Sequence, residues 1–434
     1  MKINFAKPIG KIKPLHGINN MPTVPVDALN LFHYYAEACI PYVRLHDTGS
    51  IFGASHLVDV DSLFPDFSAD ENDPASYDFA FTDALLKDMQ KTGVKPFYRL
   101  GSSIETFHKI KAYHIYPPQD SEKWARICEH IIAHYNEGWA EGFYYGIEYW
   151  EIWNEPDGDP IIADNSMWKG TKEQFFELYV VTAKHLKKCF PNLKIGGYGS
   201  CGFYALSEAD YSSIANSSAR TEYFIDFFLE FLKYISEHKT PMDFFSWHSY
   251  ANYNEILKYS YYVKEKLQEF GYGQSEIILD EWNPGLEAKG KAEDGANIAT
   301  MLCVLQHSPI DMAMYYEGSI MIPIYCGLFD TTHWTVFKAY YAFKAFGRLY
   351  ELGTEVESSC KPEGGQIVAA IGANGEKTVM LCNETDTEKQ ITIPSDNLWN
   401  AHIVSESFDW EETIEVQDSL ILPPYAVALL ENQG

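Results

Sequence analysis

Two stretches of the chain share one design, and together they decide the fold. Positions 149–156 read YWEIWNEP, and positions 277–284 read IILDEWNP. Each begins with an apolar run that suits a buried strand, continues to a glutamate, and stops at a proline, which cannot donate to a β-ladder. In a parallel barrel, the carboxyl ends of the strands form the face that carries active sites. The pattern therefore predicts that Glu155 and Glu281 lie at such a face.

Short apolar stretches alternate with helical patterns throughout residues 13–347. The predicted strands are Leu15–Asn19, Tyr42–His46, Lys95–Gly101, Tyr149–Glu155, Lys194–Gly197, Phe244–His248, Ile277–Glu281 and Met312–Tyr316. The predicted helices are Asp27–Ala38, Ala80–Lys91, Trp124–Tyr135, Lys172–Cys189, Tyr223–Glu237, Ile256–Phe270 and Gly295–His307. Strands that alternate with amphipathic helices in this number predict an α/β fold, the (β/α)8 TIM barrel.

The pattern changes after residue 347, where apolar and polar residues alternate as they do in half-buried strands. The predicted strands are Gln366–Ile371, Lys377–Cys382, Gln390–Ile393, Ala401–Glu406, Thr413–Val416, Leu420–Leu422 and Pro424–Leu430. Asn374-Gly375 is a hairpin signal between two of them. We therefore expect residues 348–434 to form a smaller antiparallel β-sandwich domain, completed by residues 1–12.

Charge and cysteine content limit the possible partners and cofactors. The formal net charge of −28 disfavours nucleic acid, anionic membranes and, more weakly, a polyanionic substrate, although solubility alone could explain it. The eight cysteines are scattered without a C-x-x-C pair, which indicates free thiols in a reducing compartment rather than disulfides or a zinc site. We expect no cofactor, no metal, no membrane span, and a cytoplasmic location, or a periplasmic or secreted one if a signal peptide was removed. The sequence does not indicate an oligomeric state.

The spacing of the two glutamates indicates their chemistry. They are 126 positions apart, which is three βα units of about 40 residues each and places them on strands 4 and 7 of the barrel. Two opposed carboxyl groups are what glycosidic bond cleavage requires. We expect Glu281 to be ionised, and we expect Glu155 to be protonated because the neighbouring tryptophans exclude water. Each motif alone could also be a strand-end glutamate that caps the next helix.

Several motifs resemble a known enzyme family. WNEP at 153–156 resembles the acid/base signature of clan A glycoside hydrolases, and LDEWN at 279–283 resembles their strand-7 nucleophile segment. The resemblance is closest to glycoside hydrolase family 39, the β-xylosidase and α-L-iduronidase family. The further matching segments are RLH at 44–46, LGSSIE at 100–105, SWHSY at 246–250 and KAYYAF at 338–343. One departure is Asp280, which stands where the family usually has a small or hydroxyl residue.

The resemblance implies a role for each matching residue. It implies that Glu155 is the general acid/base and Glu281 the nucleophile, that Asn154 binds the sugar 2-hydroxyl, and that Arg44 keeps Glu281 ionised. It also places His46, Glu105, His248 and Tyr250 near the substrate. Trp282 and Tyr316 are candidate platforms for the apolar faces of a sugar ring. The alternatives are an internal ion pair for Arg44, core positions for the histidines and aromatic residues, and a loop carboxylate for Glu105.

These observations favour a retaining glycosidase that removes terminal β-linked neutral sugars, with β-xylosides first. A β-galactosidase or another β-glycosidase of the same family is the first alternative, and the charge disfavours an iduronidase. A non-catalytic carbohydrate-binding protein on a degenerate barrel is the alternative from another class. The glycines at positions 197, 199 and 202 formally match a dinucleotide-binding fingerprint, but the residues after them make a poor helix start.

Overall fold

A computed structural model describes most of the chain. The described residues are 1–22, 31–48, 56–104, 113–209, 211, 218–285, 287–320, 325–330, 332–359, 365–393 and 398–432. The chain divides into two compact units, a first unit of Met1–Ile18, Pro22–Pro41 and Asn283–Gly434, and a second unit of Asn19–Met21 and Tyr42–Trp282. The predicted domain boundary after residue 347 stays a prediction.

Strands β2 to β9 form a closed parallel barrel, which confirms the predicted TIM barrel. They are β2 Gly17–Asn19, β3 Tyr42–Leu45, β4 Lys95–Leu100, β5 Tyr149–Ile152, β6 Lys194–Ser200, β7 Phe244–Ser249, β8 Glu276–Trp282 and β9 Met312–Tyr315. Each lies on a predicted strand, with ends that differ by up to three residues. These strands are buried on both faces, which is why they read as continuous apolar runs.

Seven of the nine described helices overlap the predicted amphipathic segments, whereas Val60–Leu63 and Tyr340–Leu352 were not among the predicted helices. The described helices are α1 His33–Glu37, α2 Val60–Leu63, α3 Ala80–Gln90, α4 Ser121–Asn136, α5 Lys172–Cys189, α6 Ser218–Glu237, α7 Tyr253–Glu269, α8 Ala292–Gln306 and α9 Tyr340–Leu352. Short 3-10 helices occupy Pro74–Ser76, Trp139–Glu141 and Tyr204–Leu206. Helix α5 starts at a capping box, in which Thr171 and Gln174 satisfy each other's backbone N–H groups. Among the described helices, none combines the length and the apolar character that a membrane crossing needs.

The first unit contains an antiparallel sheet in the order β1-β12-β13-β14-β19-β16-β17 and a separate pair, β15-β18. The strands are β1 Lys2–Lys11, β12 Thr354–Ser359, β13 Gly365–Ile371, β14 Lys377–Asn383, β15 Lys389–Thr392, β16 Trp399–Val404, β17 Thr413–Val416, β18 Ser419–Leu422 and β19 Ala426–Asn432. Both sheets contribute to one apolar cluster that includes Trp399, which confirms a separate antiparallel sheet domain. Strand β12 was not predicted, because its sequence TEVESS buries few apolar side chains. The hairpin β10 Phe329–Asp330 and β11 Thr335–Val336 was also not predicted.

Candidate active site

The carboxyl ends of the barrel strands in the second unit bring together polar groups that are far apart in the chain. Arg44 lies on β3, Glu151 on β5, His248 on β7, and Asp280 and Glu281 on β8. Arg44, Glu151 and Asp280 are completely buried, and His248 and Glu281 are nearly so. Burial of so many charged groups is costly unless they pair with one another. The parallel strands therefore build a compact ionic network at the position where the sequence predicts an active site.

The backbone that presents Glu155 is held in an unusual conformation. Trp153 and Glu155 have φ angles of 75° and 46°, a left-handed region that residues with a side chain rarely occupy. The N–H of Trp153 donates to the carbonyl of Leu100 at 2.6 Å, and the N–H of Glu155 donates to the carbonyl of Gly199 at 2.9 Å. The indole N–H of Trp153 also donates to the carbonyl of Met167 at 2.9 Å. Bonds to two neighbouring strand ends thus fix the direction in which Glu155 leaves β5.

Asp157 anchors the loop that follows Glu155. The Ser200 hydroxyl donates to Asp157 at 2.8 Å, and the N–H of Cys201 lies 3.2 Å from both oxygens of this carboxyl group. Burial is the largest cause that raises the pKa of Asp157. The hydrogen bond from Ser200 opposes the rise and the charge of Glu155 adds to it, so that the pKa is about 7. Asp157 therefore connects the Glu155 loop to the end of β6.

Glu281 receives a donor on each carboxylate oxygen. The guanidinium of Arg44 donates from one terminal nitrogen to Oε1 at 2.9 Å, and the hydroxyl of Tyr250 donates to Oε2 at 2.9 Å. The ring nitrogen Nε2 of His46 lies 3.8 Å from Oε1. Two donors with fixed directions hold the Glu281 carboxylate in one orientation, as a nucleophile requires.

Arg44 is the centre of the network. Its Nε lies 2.8 Å from Oε2 of Glu151 and 2.9 Å from Oδ2 of Asp280, while its other terminal nitrogen donates to Oδ1 of Asn154 at 2.6 Å. Two carboxyl groups thus converge on Nε, which donates its single hydrogen to Glu151. Burial and the charge of Asp280 raise the pKa of Glu151 although Arg44 opposes the rise. Burial acts in the same direction on Asp280, but Arg44 and His248 outweigh it and lower the pKa of Asp280. Glu151 therefore carries a proton near neutral pH and Asp280 is ionised.

His248 connects the two predicted catalytic glutamates. Its Nδ1 lies 2.7 Å from Oε1 of Glu155 and 3.5 Å from Oε2 of Glu281, and its Nε2 lies 3.6 Å from Asp280. Burial acts to lower the pKa of His248, but the charges of Glu281 and Asp280 raise it well above its ordinary value. Burial acts to raise the pKa of Glu155, but the hydrogen bond from His248 lowers it overall. In the free protein the proton is therefore on His248, whereas the sequence analysis expected it on Glu155.

The carboxyl groups of Glu155 and Glu281 are close together. Ligand atoms of Glu155, His248 and Glu281 all lie within 4.8 Å of one another. Retaining glycosidases separate their two carboxyl groups by about 5 to 5.5 Å, whereas inverting enzymes leave about 6.5 to 9.5 Å for a water molecule. The same three groups could ligate a cation, but Arg44, Tyr250 and His248 already supply the donors that these two carboxylates need.

Gly199 has a function that the fingerprint interpretation missed. Its φ is 62°, and a Cβ atom at this position would lie 3.1 Å from Oδ1 of Asn154, 3.1 Å from Nε2 of His248 and 3.3 Å from a terminal nitrogen of Arg44. Glycine is needed here because a side chain would push into the ionic network. The residue belongs to barrel strand β6 rather than to a phosphate-binding loop.

Comparison with known proteins decides the family. The sequence model of the glycosyl hydrolases family 39 matches residues 28–284. The chain belongs to this family. A β-xylosidase of Geobacillus stearothermophilus is 27% identical over 229 residues, which are 50% of this chain and 39% of that protein. The chain thus spans well under half the length of this curated relative.

Solved structures share the fold over nearly the whole chain. A glucosidase from Croceicoccus marinus has a TM-score of 0.76 at 20% identity and covers 99% of this chain and 98% of its own. A family 39 β-xylosidase from Caulobacter crescentus has a TM-score of 0.66 at 17% identity, with 99% and 98% covered. At these identities the likeness concerns the fold alone.

Most of the predicted site residues of this family 39 member meet in one place. The structure brings together Arg44, His46, Asn154, Glu155, His248, Tyr250 and Glu281. Trp282 ends β8 and is completely buried, while Tyr316 follows β9 in the first unit, so their contacts with a sugar stay predictions. Glu105 lies outside the described residues. Sequence reasoning missed Glu151, Asp157 and Gly199, although an acid inside the apolar stretch of β5 was a usable signal for Glu151.

The protonation of the Glu151–Asp280 pair gives a testable difference between two conservative variants. Glu151→Gln replaces a neutral acid by a neutral amide, so kcat/KM should stay within about tenfold of wild type, since about one hydrogen bond is altered. Asp280→Asn removes a charge that raises the pKa of His248, so the alkaline limb of the kcat/KM profile should move to lower pH. The pH profiles of kcat/KM for both variants and wild type, recorded on one substrate, measure the loss of activity and the shift of the alkaline limb. A larger loss in Glu151→Gln than in Asp280→Asn contradicts the assignment.

Proposed function

We propose that this protein is a retaining glycoside hydrolase that removes terminal β-linked neutral sugars, β-xylosides first, by double displacement. The observation that carries the proposal is the approach of Glu155 and Glu281 to within 4.8 Å, with both carboxyl groups in contact with one imidazole. Membership of family 39 supports the reaction class. The residue roles follow from the contacts of each carboxyl group.

In the first step, Glu281 attacks the anomeric carbon while the glycosidic oxygen takes a proton from Glu155. The charge of Glu281 is the largest cause that raises the pKa of His248. This charge disappears as the glycosyl ester forms, so His248 becomes a stronger acid at that moment. Its Nδ1 proton moves over the 2.7 Å contact to Glu155, and Glu155 passes that proton to the leaving group, so that His248 ends the step neutral and Glu155 ends it ionised. The network thereby couples nucleophilic attack to acid catalysis.

In the second step, Glu155 takes a proton from a water molecule, which attacks the glycosyl ester and releases the sugar with its original configuration. The charge of Glu281 returns and raises the pKa of His248 again. Arg44 and Tyr250 meanwhile hold the departing carboxylate. Arg44 occupies the amide oxygen of Asn154, so the amide nitrogen is the group we assign to the sugar 2-hydroxyl.

The net charge supports the preference for a neutral sugar, and the free thiols support a cytoplasmic location. A net charge of −28 disfavours uronic acid substrates and nucleic acid partners. The G. stearothermophilus relative is named a β-xylosidase, which supports xylose at the cleaved end. The cysteines in the described part of the chain are free, as expected in a reducing compartment.

A panel of nitrophenyl glycosides tests the proposal. We expect the highest kcat/KM for the β-xyloside, lower values for the β-galactoside and β-glucoside, and no release from α-glycosides. NMR of the first product should show the β-anomer. A higher kcat/KM for another β-glycoside would transfer the assignment to that sugar. Binding of xylo-oligosaccharides without release from any glycoside would instead favour a carbohydrate-binding protein.

A further inference from the structure

A second cluster of ligand-type side chains lies outside the catalytic network, where helices α4 and α5 pack together. Glu129 lies on α4, and His185 and Cys189 lie on the last two turns of α5. Nε2 of His185 is 2.6 Å from Oε2 of Glu129 and 3.8 Å from Sγ of Cys189. Ligand atoms of the three residues all lie within 4.8 Å of one another. An oxygen, a nitrogen and a sulfur therefore converge on one point.

The two helices fix this arrangement. His185 and Cys189 are four residues apart on one helix, so they lie on the same face, one turn from each other. Glu129 approaches that face from the middle of a separate sixteen-residue helix. A site built on two helices is more rigid than a site built on loops. All three residues are half-buried, with 31% exposure for the Glu129 side chain and 28% for His185, so an ion from solvent can reach them.

The distances fit zinc. Tetrahedral zinc with bonds of about 2.05 Å to nitrogen and 2.3 Å to sulfur places these two atoms about 3.6 Å apart, close to the 3.8 Å observed. The oxygen and nitrogen atoms would need to separate to about 3.3 Å from their present 2.6 Å. A partly exposed glutamate can make this movement by a small change in its side-chain torsions.

The charges fit a divalent ion of borderline softness. A thiolate and a carboxylate supply two negative charges, so Zn²⁺ with a neutral imidazole gives a neutral site. Imidazole and thiolate ligands favour zinc over magnesium or calcium, which prefer oxygen. On binding, the Cys189 thiol releases its proton to water, a Zn–S bond forms, and solvent supplies the fourth ligand.

We propose that Glu129, His185 and Cys189 form a zinc site that ties α4 to α5. The sequence analysis expected no metal site, on the ground that the cysteines form no C-x-x-C pair. His185 and Cys189 supply only two ligands from one helix, and the third comes from another helix. Helix α4 precedes β5 and α5 follows it, so the ion would connect the two helices that flank the strand leading to Glu155. An ion that binds only the folded chain stabilises it by an amount that grows with the logarithm of the ratio of free ion to the dissociation constant.

Cobalt absorption tests the ligand set directly. We expect reduced, chelator-treated wild-type protein to bind one equivalent of Co²⁺, with the d–d bands of a tetrahedral ion and a thiolate-to-cobalt charge-transfer band that Zn²⁺ abolishes. Cys189→Ser should lose the charge-transfer band. His185→Gln and Glu129→Gln should each bind Zn²⁺ at least about tenfold more weakly, because even outer-shell changes have effects of this size. His130→Gln, next to Glu129 on α4, is the matched control and should retain both signals.

The outcomes that overturn the proposal are specific. If wild-type protein shows cobalt bands without charge transfer, the metal is bound by other ligands, such as the sulfur-free group Glu155, His248 and Glu281. If the charge-transfer band persists in Cys189→Ser, another cysteine is the ligand. If the variants fold poorly, alkylation of wild-type protein decides. Zn²⁺ should then slow the alkylation of Cys189 but not that of Cys39, which is also half-buried. Equal alkylation rates with and without Zn²⁺ would exclude the site.

Discussion

Replacing Glu281 by alanine is expected to lower kcat by on the order of 10⁶-fold, the scale on which a covalent mechanism loses rate when its nucleophile is removed. No other described side chain takes the position that Arg44 and Tyr250 define with their 2.9 Å contacts. Added azide should restore turnover, because it can occupy the space left by the carboxylate and attack the anomeric carbon. The product should be a glycosyl azide of inverted configuration, identified by NMR.

Glu155→Ala is the matched counterpart. It should lose about 10²- to 10⁴-fold on substrates whose leaving group needs a proton, and much less on activated aryl glycosides. The glycosyl ester on Glu281 should still form, so azide should give a product of retained configuration. Far-UV circular dichroism and thermal melting of both variants control for folding. If the two azide products were exchanged, the roles of the two glutamates would be exchanged too.

Arg44→Met is expected to have the largest effect on stability. The substitution leaves Glu151, Asp280 and Glu281 buried without the guanidinium that contacts all three, and removing one partner of a buried ion pair costs about 3 to 5 kcal/mol. The pKa values of Glu151 and Asp280 should rise, because the charge of Arg44 acts to lower both. A group whose pKa is higher in the folded than in the unfolded state loses its stabilising effect as pH increases through the folded value. The variant should therefore be less stable at pH 8 than at pH 5, as measured by urea unfolding.

The pH dependence of kcat/KM is a second measurement on Arg44→Met. Arg44→Met removes the positive charge beside the nucleophile, so the acid limb of kcat/KM should move to higher pH. Arg99→Met is the matched control, because Arg99 is also completely buried and pairs with Asp59 at 2.5 Å. Among the described residues of the site, its contact is with His46. Arg99→Met should destabilise the protein while leaving the acid limb near its wild-type position. An unchanged acid limb in Arg44→Met would contradict the assigned role.

The sequence by itself determined the barrel, the antiparallel sheet and the two glutamates. Strand and helix periodicities are local properties, so each apolar run such as residues 149–152 could be recognised without its neighbours. Once the strands were ordered in a barrel, the residues at their carboxyl ends had to share one face. Arg44, His248 and Tyr250 were found in a different way, through the resemblance of their segments to glycoside hydrolase family 39. Strand β12 was missed because a largely polar sequence carries no such period.

Only the tertiary structure decided where the protons are and which unexpected residues take part. The proton on His248 depends on distances to Glu155, Asp280 and Glu281, which lie 93, 32 and 33 positions away in the chain. The neutral state of Glu151 depends in the same way on its convergence with Asp280 on one nitrogen of Arg44. Electrostatic energies follow separations in space and burial, and the spacing of residues along a sequence specifies neither.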